Sequence, residues 1–91
     1  MPRYVIERTM PGAGDLDAAT ICATINRSAA LARERGGLVQ WERSYVTGGK
    51  VFCVCTAPSE QHVIDHERAA GMPVDAVLAI TQEFDPATSG A

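Results

Sequence analysis

Short strand-like runs and one long run without Gly or Pro mark out the elements of this chain. Tyr4 to Thr9 is rich in residues that suit a pleated, half-buried strand, and the MPGAG segment at 10–14 ends it with Pro and Gly. From Asp15 to Arg35 there is no Gly or Pro, and Ile, Leu and Ala recur at helical spacing. Asp15 is the expected N-cap, Asp17 places negative charge in the first turn, and Gly36–Gly37 stop the helix. Val39 to Val46 reads as a second strand, TGGK at 47–50 as a hairpin turn, and Val51 to Thr56 as the returning strand. Ala57–Pro58 breaks the sheet, Ser59 caps a second helix to about Ala70, and Gly71 with Pro73 terminates it. A fourth strand falls within 74–84, followed by a tail without predicted regular structure.

The order β-α-β-β-α-β predicts an α+β, ferredoxin-like domain: a four-stranded antiparallel sheet with two helices on one face. One domain spans 1–86, with a flexible tail at 87–91. The other sheet face has no helix to cover it. Strand residues alternate Val51, Cys53, Cys55 with Phe52, Val54, so an apolar set is exposed whichever way the strand faces. A second copy of the chain is the expected cover, giving a homodimer. Composition sharpens this, because only 5% of the 91 residues are aromatic and the core must be built from small aliphatics.

A net charge of −3 with no basic run excludes a phosphate-binding nucleic-acid surface. No stretch is apolar enough for a membrane span, and the N-terminus lacks a signal-peptide pattern. A cytosolic protein is expected. Three cysteines fit that compartment as free thiols, each a small hydrophobe; Cys22 lies in the first helix, Cys53 and Cys55 in a strand.

Four residues are candidates for a metal. His62 and His66 are one helical turn apart and project from the same side, a spacing that lets two imidazoles hold one divalent ion. Asp65 is near them on the helix, though rotated around it, and Glu7 is a carboxylate within a strand. The structural alternative is one His that packs and one that is solvated. A pocket is the other possibility. Trp41 and Tyr45 are expected on one face of the second strand, with Glu42 and Ser44 on the other. Trp41, Ser44, Tyr45 and Cys53 are the candidate ligand contacts. Cys53 has His66 as its one conceivable base, too little for a catalytic assignment. No phosphate loop, dinucleotide fingerprint, nucleophile elbow or paired-Cys zinc motif occurs.

Glu7-Arg8-Thr9, Trp41 with Ser44-Tyr45, Lys50, Phe52-Cys53, Ala57-Pro58, His66, Ala70-Gly71 and Pro73 run through nearly the whole chain. In these residues it resembles a family of small bacterial proteins, common in actinobacteria, that carry a domain of unknown function and are described as nickel-responsive or nickel-binding. The resemblance implies a dimer of ferredoxin-like, α/β-barrel type. It also implies nickel or another late divalent metal, with His66 as the first ligand and a carboxylate or thiolate completing the sphere. Two positions depart from the pattern: His62 stands where a small apolar residue is expected, and Thr56 where relatives have an acid. The sequence thus supports a metal-binding dimer for sequestration or sensing, and alternatively a small-molecule binder or enzyme using a dimer pocket.

Overall fold

The computed structural model of the chain describes residues 1–90. Four strands form one antiparallel sheet: β1 (Arg3–Thr9), β2 (Gln40–Val46), β3 (Lys50–Thr56) and β4 (Ala76–Ala79), in the spatial order β2-β3-β1-β4. Helix α1 (Ala18–Glu34) links β1 to β2, and α2 (Glu60–Ala70) links β3 to β4. This is the ferredoxin-like arrangement expected from the element order.

Alternation in the strands decides the two faces. Tyr4, Ile6 and Arg8 of β1 point toward the helices, and their cross-strand partners Cys55, Cys53 and Val51 of β3 share that face. Tyr4, Ile6, Cys53, Cys55 and Ala57 form the core together with Val63 from α2. Val5, Glu7, Phe52 and Leu78 lie on the opposite face, which no helix covers.

Local chemistry sets the helix ends. The sequence places the α1 cap at Asp15, but Asp15 belongs to a short 3-10 turn, Ala13–Asp15, and Leu16 is extended. Asp17 is the cap, its carboxylate accepting from the Thr20 N–H at 2.8 Å. The extra turn buries Ala13 and brings Gly14 against the β2–β3 hairpin. A Cβ at Gly14 would sit 3.0 Å from the Thr47 carbonyl oxygen and 3.1 Å from Gly48 Cα, which is why glycine occupies the position. Ser59 caps α2, and Gly71, at φ 67°, ends it with Gly71 N–H donating to Arg68 and Met72 N–H to Glu67. The segment after β4 has a short helix of its own. Asp85 caps a one-turn helix, α3 (Pro86–Ser89), through a reciprocal capping box with Thr88.

Candidate functional site

The second strand carries a bulge. Trp41 pairs with Cys55 but Arg43 with Val54, so Glu42 is an extra residue without a partner on β3. The register shift reverses the expected faces. Trp41 and Ser44 share the helix side, and Tyr45 opposite Phe52 looks the other way. Trp41 Nε1–H donates to Ser44 Oγ at 2.9 Å, and Ser44 Oγ donates to Cys53 Sγ at 3.0 Å. Glu42, turned outward, pairs with Arg3.

These side chains border a cleft of about 480 Å³ between α1 and the sheet. The cleft exists because α1 presents small residues to the sheet. Ser28, Ala29 and Ala32 line it, and Ala32 is the one buried residue of the helix. Larger aliphatics there would fill the space as in an ordinary core. The floor is polar. Arg8, 1% exposed, donates from Nη1 to Glu67 Oε2 at 2.8 Å and to the Pro73 carbonyl at 3.1 Å. The Gly71 turn is what brings Pro73 back to that guanidinium. Burial opposes the charge on Arg8, but the hydrogen bond and charge of Glu67 outweigh it and hold the group protonated more firmly than usual.

His66, 5% exposed, also lines the cleft, with Nε2 3.0 Å from Ser28 Oγ. Its Nδ1 is buried without a partner. Burial pushes its pKa below the ordinary 6.5, and the nearby Arg35 and Arg8 act in the same direction against Glu67. The imidazole is therefore neutral at pH 7. Burial likewise drives the Cys55 thiol up to about 12, helped by the charge of Glu67. The other cysteines are free too, Cys53 buried and Cys22 exposed.

The expected metal residues do not converge. Glu7 lies on the uncovered face, ion-paired with Lys50 at 2.7 Å, across the sheet from His66. His62 is exposed and hydrogen-bonds through Nδ1 to Ser59 Oγ at 2.7 Å, and Asp65 is exposed and accepts from Gln61. His62, Asp65 and His66 do border one small hollow of about 70 Å³, but Arg35 borders it as well, and its charge opposes a divalent cation. Among the described residues no group of three or more His, Cys, Asp or Glu is placed to hold a metal ion. The described residues of one chain thus gather no donor set that fits a bare nickel ion.

Of the expected pocket residues, Trp41, Ser44 and Cys53 meet at the cleft and Tyr45 does not. Arg8, Glu67 and Ser28 were missed. Arg8 had a signal in the sequence: alternation from Tyr4 and Ile6 places it inward, where a cation needs a buried acid.

The fold and the site define a ferredoxin-like α+β protein with a polar-floored cleft under its first helix. The family follows from comparison. A model described as "Nickel responsive protein SCO4226-like" matches residues 4–80, and the chain belongs to that family. Among solved structures it is similar to SCO4226 from Streptomyces coelicolor A3(2), with a TM-score of 0.77 over 90% of this chain and 99% of that one. Identity is 15%, so this likeness speaks for the fold alone. No curated protein matches the chain. Among the described residues no helix is long and apolar enough to cross a membrane.

Proposed function

We propose that this protein is a binding protein that holds a small ligand in the cleft beneath α1, and that this is its part in a nickel response. The cleft carries the reading. Its volume, about 480 Å³, lies within the range of small-ligand sites, and it combines apolar walls with a few buried polar groups. Thermal denaturation of tag-free protein against a library of small organic compounds tests it. Compounds should stabilise the wild type but not Ala29→Phe, which fills the cleft. A screen without hits, or hits indifferent to that substitution, would sink the reading.

Family membership favours a second reading, in which nickel or another late divalent metal is held directly, with His66 as the first donor. Because no three donors gather among the described residues of one chain, this reading requires donors from a second copy packed on the helix side of the sheet, a contact separate from one through the uncovered sheet face. Calorimetric titration of nickel into tag-free protein should then give one ion shared between chains, lost in His66→Ala. No heat of binding would end this reading.

A second copy also suits the uncovered sheet face. Val5, Phe52 and Leu78 make an apolar centre, and Lys50–Glu7 and Arg3 with Glu42 and Glu83 place both signs of charge around it. A face with mixed charge at its rim is complementary to itself under two-fold symmetry. Homodimerisation through this face is part of the proposal.

A further inference from the structure

Resting on the cleft-binding reading, we infer that the ligand is a small organic carboxylate, its anion on the Nε–Nη2 edge of Arg8 and its apolar body between Trp41 and α1. The argument begins with the donors of Arg8. Nη1 is engaged by Glu67 and Pro73. Nη2 has the Cys53 sulfur at 3.9 Å, a weak acceptor at long range, and Nε has no partner at all. The open edge of the guanidinium is thus Nε with Nη2, whose two parallel N–H bonds match the two oxygens of a carboxylate. A side chain 1% exposed cannot meet this need from bulk water. In this packing Nε is closed even to a group the size of water, so a carboxylate takes this edge only as the side chains over it, Cys53 among them, move aside.

Charge agrees with this. Arg8 and Arg33 line the cleft against a single acid, Glu67, so with a neutral His66 the lining carries an uncompensated positive charge. The walls exclude a plain inorganic anion as the fitting occupant. Ile25, Ala29, Val39 and Met72 would stay wet around phosphate, whereas an apolar body covers them. Trp41 is 47% exposed beside the cleft and gives such a body a flat aromatic surface.

Two matched pairs of probes test the inference: phenylacetate against phenylacetamide, and hexanoate against hexanamide, with inorganic phosphate as a control. Trp41 is the only tryptophan, so its emission reports occupancy directly, and calorimetry gives affinity. Each acid should bind at least about tenfold tighter than its amide, about 1.4 kcal/mol. The acid should also shift the Arg8 Nε–H resonance in proton–nitrogen spectra of the unmodified protein, a readout that needs no variant. In Arg8→Gln/Glu67→Gln, which keeps the buried pair neutral and hydrogen-bonding, the acid preference should vanish while amide binding persists. Equal binding of acid and amide, or an unmoved Arg8 resonance, overturns the carboxylate assignment and leaves the cleft reading standing. Phosphate competing as well as the acids also overturns it. Binding of neither probe, or binding unchanged in Ala29→Phe, overturns the assignment and the cleft reading together.

Discussion

Trp41 and Ser44 lie three residues apart on one strand yet face the same side, joined by a 2.9 Å hydrogen bond, because Glu42 between them has no partner on β3. The bulge brings the indole over the cleft and turns a carboxylate outward to Arg3. Ser44→Ala should remove the indole's partner. Because Trp41 is half exposed, water replaces most of the bond, and the cost should be small, about 0.5 kcal/mol in urea denaturation. The clearer sign should be altered near-ultraviolet circular dichroism of the indole. An unchanged spectrum would mean that the bond does not hold Trp41 in solution.

Arg8 and Glu67 should behave as a unit. Arg8→Met leaves a buried carboxylate without its partner and should cost about 3–5 kcal/mol. Arg8→Met/Glu67→Met removes both charges and should cost far less than the two single changes added together. Urea denaturation of the four proteins gives the coupling; additive losses would show that the pair is not coupled.

The neutral, buried His66 makes stability depend on pH. The unfolded chain takes up a proton near 6.5, whereas burial holds the folded imidazole's pKa lower. Between those values the unfolded state binds more protons. Stability from this source is therefore complete above about pH 6.5 and falls as acidification approaches the folded value. His66→Gln should flatten that part of the profile in denaturant midpoints measured from about pH 7 to pH 5. A variant that retains the wild-type slope would assign it to another group.

The three thiols should separate cleanly. Cys22 is exposed and should react with a disulfide reagent at once, Cys53, at the cleft, should react more slowly, and Cys55, more deeply buried, only on unfolding. Cys55 has the further protection of a pKa near 12, which leaves almost no thiolate at pH 8. Mass spectrometry of the native and denatured protein after labelling assigns each site. Rapid labelling of Cys55 in native protein would mean that the cleft opens far more often than its packing implies.

If the uncovered sheet face is the dimer interface, Leu78→Glu should separate the copies. Leu78 is 54% exposed on the edge strand β4, beside Val5 on that face, and a carboxylate buried there is costly. Light scattering should give a dimer for the wild type and a monomer for the variant. A wild type that is monomeric at high concentration contradicts the interface.

Much of the fold was legible because it depends on periodicity and turn chemistry. Gly71, Pro73, Ser59 and the TGGK turn each mark a boundary through backbone preferences that act locally. The site was less legible, for two distinct reasons. A bulge adds one residue without any Gly or Pro to announce it, so the faces of Trp41 and Tyr45 could not be read from alternation. The second reason is distance in sequence. His66 and His62 share a helix side, but their surroundings come from Ser28 and Ser59, and only the folded chain shows one buried and the other in solvent. Arg8 and Glu67 find each other the same way, 59 residues apart in sequence.

The place of β1 in the sheet bears on how the chain is made. The first strand of this domain sits at the centre of the sheet, flanked by β3 on one side and β4, from the other end of the domain, on the other. Tyr4 cannot gain its full set of neighbours until Ala79 has been synthesised. Contacts of such long sequence separation form late and slowly, so the domain closes as one cooperative step only when both neighbours of β1 are in place. Until then β1 has unpaired edges on both sides, and the nascent chain depends on the hairpin of β2 and β3 to offer it the first of them.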